Sequence, residues 1–212
     1  GELFASEVAA PLGVDLHFGV PPDRLSDCAR LSPWPQATVE ELKGLTPLAE
    51  RGLCEPNVLF DDSVVNSAEW RRAEVPAVNL HGTARGVAKV YAALAAGGEL
   101  GGVRVLQPRT ARLLQEPLLP EEKDAVLGFA ATWAVGFQLN SWEADGRQFG
   151  DTFGLGGIGG SSAFGCCRSG GVGFAYLTRQ MGDWTRAESV QAALLEVLRS
   201  LEEGESRAEQ KK

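Results

Sequence analysis

The chain has 212 residues, of which 44% are hydrophobic and 23% charged, proportions that suit a globular domain able to bury a core. Its formal net charge of -8 excludes the basic footprint expected of a nucleic-acid binder or of a protein drawn to anionic membranes. No apolar run approaches the roughly 20 residues a membrane span requires, and the first ten residues carry Glu2 and Glu7 without the basic start of a signal peptide.

Residues 2–10 have amphipathic helical spacing, with Leu3, Phe4 and Val8 on one side and a stop expected at Pro11-Leu12-Gly13. VDLHFGV (14–20) alternates like a short strand and ends at Pro21-Pro22. From about 30 to 68 the chain is proline-rich and has little sustained period, which predicts a long surface excursion with a short helical candidate near 38–43. Asn79-Leu80-His81-Gly82 reads as loop, after which Thr83 caps a helix whose Val87, Val90, Tyr91 and Leu94 form a buried face. Gly97-Gly98 ends that helix. Pro108 opens a second helix, which Pro117 and Pro120 close.

The period then changes. ATWAVGFQLN (131–140) alternates as one strand, residues 149–167 are dense in glycine, and GGVGFAYLTRQ (170–180) is a strong strand candidate. A long helix follows Asp183-Trp184-Thr185, with Val190, Ala193, Leu194, Val197, Leu198 and Leu201 predicted to face inward. Residues 204–212 are polar enough to fray as a tail. Helices, then antiparallel strands, then a terminal helix make an α+β layout rather than alternating βαβ units.

Four cysteines and two histidines do not form a metal site by spacing. Cys166 and Cys167 are adjacent, and His17 and His81 stand far apart. Reduced thiols in an intracellular compartment are the expectation, and pairing of Cys28 with Cys54 stays open. The run Gly154-Leu155-Gly156-Gly157-Ile158-Gly159 matches a dinucleotide-binding pattern, but that use requires a helix directly after it, where this sequence reads as a strand. No cofactor is expected.

Nucleophilic catalysis by serine needs an adjacent base. The elbow G-x-S-x-G is absent, since Gly160-Ser161-Ser162-Ala163-Phe164 fails at its last position. His81 is a candidate base, although a loop histidine before a helix cap more often only stabilises structure. Asp61, Asp62 and Asp151 are available as third members without any spacing that singles one out.

Three ordered stretches resemble the β-lactamase-related serine hydrolases, the group of class C β-lactamases and esterase-like enzymes. ELFASEVAAPLGVDLHFGVP (2–21) is similar to the family's helix and E-P-L-G-L element. Residues 66–114 resemble its T-A-R-type helix start and the G-G-x-x-x-G-x-R-L-L-S-P-x-T that follows, and 153–181 resemble its third-motif strand and hairpin. The resemblance implies a β-lactamase/transpeptidase-like fold and an acyl-serine cycle on an ester or amide, in which a serine in S-x-x-K and a Y-x-N motif move the protons.

Neither of those motifs is present. Three residues before Lys43, Lys89, Lys123, Lys211 and Lys212 stand Glu40, Gly86, Pro120, Ala208 and Glu209, and two after Tyr91 and Tyr176 stand Ala93 and Thr178. Both motifs ordinarily precede the element that opens this chain, so residues 1–203 are expected to be the C-terminal portion of one such domain, with 204–212 as its polar tail. The third motif, as the resemblance aligns it, puts Leu155 where lysine or histidine is expected, followed by Gly156 and Gly157, with the Ile158 backbone N–H as oxyanion-hole candidate. Leu155 cannot donate a hydrogen bond, which disfavours recognition of a substrate carboxylate more than ester hydrolysis. The glycines also suit an edge-strand bulge. Two functions stay open: a serine hydrolase by ancestry, acting on a small ester or amide when its N-terminal half is supplied, and a non-catalytic binding or scaffold protein with a remodelled groove. Substrate and oligomeric state are not specified by the sequence.

Overall fold

The computed structural model describes residues 1–33, 46–55, 58–119, 121–140, 143–144, 147–148, 150–157, 159–182 and 184–209. Its opening helix comprises Glu2–Phe4, Ala5–Ala9 and Ala10–Leu12 and stops within the expected Pro11-Leu12-Gly13. One widened turn, in which the Ala10 N–H donates to the Ala5 carbonyl five residues back, carries the helix through a proline that has no N–H to place. It ends at Gly13, whose N–H donates to the Ala10 carbonyl at 3.0 Å while Val14 donates to Ala9 at 3.0 Å, the paired bonds of a Schellman ending. Ala9 and Leu12 are buried and Phe4 packs into the core, whereas Leu3 points to solvent, contrary to its predicted inward position.

β1 (Leu16–His17) pairs antiparallel with β2 (His81–Gly82), so the second half of the stretch 79–82 expected as loop is a strand, while Asn79 and Leu80 remain loop. Its partner lies more than sixty residues away, which no local pattern reports. Between them the excursion is organised into short helical turns at Pro22–Asp27, Pro47–Ala49, Glu50–Cys54, Asp62–Val65 and Ala68–Arg72. The helical candidate near 38–43 lies outside the described residues. Buried Asn79 closes this region: its amide donates to the Trp70 and Ala73 carbonyls at 3.0 and 2.7 Å, and its oxygen accepts from Val75 N–H at 2.9 Å.

The central helix Ala84–Ala95 starts as predicted, with Thr83 Oγ1 accepting the Gly86 N–H at 3.1 Å. The small hairpin β3 (Glu99–Leu100) and β4 (Val103–Arg104) follows, and then the helix Pro108–Arg112. The principal sheet combines β5 (Glu122–Lys123), β6 (Ala130–Trp133) and β7 (Gln138–Leu139) with the later strands. A two-strand ladder of β8 (Glu143–Ala144) and β9 (Arg147–Gln148) is inserted before β10 (Thr152–Gly156), β11 (Ser162–Cys166) and β12 (Val172–Tyr176). The order across the sheet is β12-β11-β10-β7-β6-β5, and each neighbour is antiparallel. Residues 131–140 are therefore two strands, not one. Gly136, at φ 80°, lets the chain turn back so that Trp133 faces Gln138.

The sheet is covered on both faces. Ala163 packs with Leu16, Val87 and Val90 on one side, while Phe164, Cys166 and Phe174 pack with Leu194, Leu195 and Leu198 of the terminal helix on the other. Phe153 is fully buried, with its ring 5.2 Å from Phe137 and 6.1 Å from Tyr91. Two glycines on the helix-facing side make room: a Cβ on Gly165 would lie 2.4 Å from the Phe153 ring, and one on Gly173 would lie 2.0 Å from the Ala88 carbonyl oxygen.

The terminal helix, Glu188–Glu209, extends through residues that the sequence reading placed in a polar tail. It is also turned differently from expectation. Gln191, Leu195 and Leu198 are buried, whereas Val190, Val197 and Leu201 are exposed, a rotation of roughly a quarter turn at the 3.6-residue period. Gly173→Ala should cost about 3 kcal/mol or more, because the contact is with backbone that cannot rotate away. Urea unfolding of the variant against the parent chain checks this, and an unchanged midpoint would show that the helix does not lie so close.

Candidate functional site

β10 and β11 form a hairpin whose register sets Phe153 opposite Gly165, Leu155 opposite Ala163 and Gly156 opposite Ser162. Gly154 sits at φ 154°, and a Cβ there would come within 2.2 Å of the Ala163 carbonyl oxygen, so this strand approaches its neighbour through glycine. Past that constriction Leu155, Gly156 and Gly157 are exposed, Leu155 to 43%. The Gly157 N–H is already used, donating to the Ser161 carbonyl at 2.7 Å, and the Gly160 N–H donates back to Gly157 at 2.9 Å. Ile158, the residue whose N–H the sequence suggested for an oxyanion hole, lies outside the described residues.

The hairpin is braced from two directions. Ser161 Oγ accepts the Thr178 N–H at 3.1 Å, and Gly182 N–H donates to the Gly159 carbonyl at 3.3 Å, which ties the segment after β12 to the turn. Behind it, Gln191 of the terminal helix donates from Nε2 to Ser162 Oγ at 2.9 Å, both groups being buried. The Gln191 Oε1 is buried without a hydrogen-bond partner. Sequence reading missed this pair because it took the apolar stripe beside Gln191 for the buried face; the polar Gln191 at a core position was the signal available.

The remaining candidates fall elsewhere. His81 is half-buried, and its Nδ1 lies 2.8 Å from the Asn79 carbonyl oxygen. Among the described residues no serine or carboxylate hydrogen-bonds it. Burial above all, with smaller contributions from Arg71 and His17, pushes the His81 pKa below the ordinary histidine value, against the Asn79 carbonyl, which favours the charged form. Asp61 caps a helix through Ser63 and Val64, Asp62 pairs with Arg30, and Asp151 pairs with Arg168 at 3.0 Å. The Tyr91 phenol is pushed up to about 12 by burial, which keeps it a neutral packing group. Cys28, Cys166 and Cys167 are free thiols, and burial pushes the Cys167 thiol up to about 12, so it carries little nucleophilic thiolate. Among the described residues no group of three or more His, Cys, Asp or Glu side chains could hold a metal ion, and no helix is long and apolar enough to cross a membrane. The glycine pattern 154–159 precedes strand β11 rather than a helix, so it does not form a dinucleotide cradle.

With this hairpin in place, comparison with known proteins becomes specific: the profile of the β-lactamase family matches residues 1–198. The chain belongs to the β-lactamase family. A solved family VIII carboxylesterase matches 92% of it at 32% identity and a TM-score of 0.75. A novel penicillin-binding protein homologue from Caulobacter crescentus matches 86% at 30% identity and a TM-score of 0.64. EstA from Arthrobacter nitroguajacolicus Rue61a, at 21% identity and a TM-score of 0.72 over 94% of the chain, shares the fold. No curated protein matches the chain. The chain spans about half the length of these solved relatives: 51%, 47% and 54% respectively. The β-lactamase fold expected from sequence is the fold observed, with helices and antiparallel strands covering part of such a domain.

Ser162→Ala strips Gln191 of the hydrogen bond it makes and should cost about 1–3 kcal/mol, whereas Ser162→Ala with Gln191→Leu should recover most of that loss. Chemical denaturation of the three proteins measures it, and equal losses in single and double variants would refute the coupling. The His81 shift has a definite sign. Because its folded pKa lies below the unfolded value near 6.5, the unfolded chain binds more protons in between, so stability falls as pH drops below about 6.5 and levels off below the folded value. His81→Gln should flatten this part of a melting-temperature profile against pH, and an unaltered profile would assign the loss to other groups.

Proposed function

We propose that this chain is the sheet-bearing portion of a serine hydrolase that cleaves an ester or amide through an acyl-serine intermediate. In that cycle the serine oxygen adds to the substrate carbonyl, the alcohol or amine departs with a proton, and water then releases the acid and restores the serine. The observation that supports the reading is the braced β10–β11 hairpin with its exposed Leu155-Gly156-Gly157, the stretch that resembles the family's third-motif strand. Similarity over most of the chain to a family VIII carboxylesterase supports an ester in preference to an amide. The chain's part would be to line the acyl site and, through the Ile158 N–H, to polarise the carbonyl. It has neither S-x-x-K nor Y-x-N, so the proposal includes that these residues alone do not complete a turnover.

One observation favours a second reading, a non-catalytic binding or scaffold protein. Leu155 supplies no hydrogen bond where the family pattern has lysine or histidine, as a groove freed from catalysis would permit. Treatment of the purified chain with a fluorophosphonate probe, together with p-nitrophenyl acetate turnover, should give neither labelling nor hydrolysis. Stoichiometric labelling of one serine with turnover would place a nucleophile within these residues and overturn that part of the reading. An upstream coding sequence containing S-x-x-K followed by Y-x-N supports the hydrolase, and an upstream sequence without them supports the binding protein.

A further inference from the structure

We infer that Asn66 is a positioning residue for the β10–β11 turn, acting through a strap, Leu31 and Ser32, laid against the segment that follows β12. The inference rests on the reading of that hairpin as part of a functional site, and adds what holds its turn in place.

Asn66 ends the short helix Asp62–Val65. Its side chain pairs with Leu31 as a neighbouring strand would: Oδ1 accepts the Leu31 N–H at 2.8 Å, and Nδ2 donates to the Leu31 carbonyl at 2.9 Å. Nδ2 also donates to the Asp62 carbonyl at 3.0 Å, which fixes the amide to its own helix. Asp62 in turn pairs with Arg30, the residue before the strap. The pairing needs a donor and an acceptor on one short side chain; a carboxylate lacks the donor, and alanine lacks both.

Ser32 carries the contact onward. Its N–H donates to the Arg179 carbonyl and its carbonyl accepts the Met181 N–H, both at 2.8 Å, so Ser32 lies parallel to Gln180. Met181 and Gly182 then meet the turn. The Gly182 N–H donates to the Gly159 carbonyl at 3.3 Å, and a Cβ on Gly159 would lie 3.5 Å from Met181 Cγ, an ordinary contact distance. The Gly160 N–H donates to the Gly157 carbonyl at 2.9 Å. An unbroken series of contacts thus runs from Asn66 to the two glycines that flank Ile158 in the sequence.

Two hydrogen bonds on an exposed residue such as Ser32 are weak alone, since water competes for both groups and ordering the backbone costs entropy. Asn66 lowers that cost. With Leu31 already held, Ser32 has less freedom to lose when it meets Arg179 and Met181. Other supports of residues 178–182 come from the hairpin and the terminal segment: Ser161 Oγ accepts the Thr178 N–H, and Arg186 Nη1 donates to the Gln180 carbonyl at 2.9 Å. The strap adds a brace from the proline-rich excursion, which periodicity presents only as surface loop.

Met181 is the chain's one methionine, so a labelled methionine methyl group gives a single NMR signal beside the turn. The parent is compared with Asn66→Ala, which removes the Leu31 pair, and with Ser32→Pro, which removes the N–H given to Arg179. Both should shift the Met181 methyl signal and speed amide exchange at Gly157 and Gly182 roughly tenfold, while the β11 amides keep the parent rates. Ser67→Ala is the control. It removes the cap on the Trp70 N–H in the same excursion without touching the strap, and should leave Met181 and both glycines unchanged. A dispersed spectrum shows that a variant is folded. In the parent itself the Leu31, Met181 and Gly182 amides should open as one unit, with protection within roughly threefold of one another. Parent-like exchange at Gly157 and Gly182 in a folded variant, an equal response to Ser67→Ala, or widely different protection within the parent would overturn the inference. The two readings fail separately. An upstream coding sequence without S-x-x-K and Y-x-N removes the hydrolase and leaves the response to Asn66 intact, whereas an unresponsive turn removes Asn66 and leaves the hydrolase.

Discussion

The fold depends on how closely the central helix lies against the middle of the sheet. Gly173 gives up its side chain so that the backbone of Ala88 and Ala92 can approach β12, and Gly165 does the same for the Phe153 ring. That approach buries Phe153 completely, stacks it on Tyr91 and sets it edge-to-face with Phe137, so an aromatic cluster joins the helix to β7 and β10. On the opposite face, Phe164 stacks on Phe174 at 5.0 Å beneath Leu195 and Leu198. β11 thus has no freedom on either side, and the hairpin that it shares with β10 inherits this rigidity.

A rigid strand pair is a suitable mount for a site, since small displacements of a reacting or binding group are costly. The polar contacts around the hairpin are few and placed at its margins: Ser161 with Thr178 on the loop side, Ser162 with Gln191 behind. Among the described residues neither hydroxyl has a base aimed at it: Ser161 accepts from the Thr178 backbone and Ser162 from the Gln191 side chain. The contrast with His81 is instructive. That residue has the ring hydrogen bond and depressed pKa that often mark a functional histidine, yet its ring is anchored to the carbonyl of Asn79, whose side chain ties together Trp70, Ala73 and Val75.

Much of this was legible in the sequence wherever the determining interaction is local. Thr83 caps the helix it was expected to cap, and the strands after residue 150 follow their glycine-punctuated alternation. The errors share a different physical origin. β2 was read as loop because its partner, β1, is remote in sequence. The terminal helix carries two apolar stripes, and periodicity alone cannot decide which one meets the sheet; the one chosen contains Gln191, a polar residue that a hydropathy count rejects. Residues 131–140 alternated as well as a single strand would, and only the positive φ at Gly136 reveals the turn. As for the candidate site, the choice of Leu155 came from resemblance, while its position beyond the Gly154 constriction depends on strand register, which composition does not encode.

The arrangement of the principal sheet bears on how the chain reaches this state. Read from one edge, its strands are β5, β6, β7, β10, β11 and β12, so each pairs with the next in sequence, apart from the small β8–β9 insertion. Such pairing closes only short loops, and low sequence separation between contacts favours rapid assembly. The distant contacts are of another kind: Leu16 with Gly82, and the central helix with β12. A search that begins with hairpins and ends with helix docking would make Gly173 a late-forming contact. Crowding it would then accelerate unfolding while leaving the rate of sheet formation largely untouched.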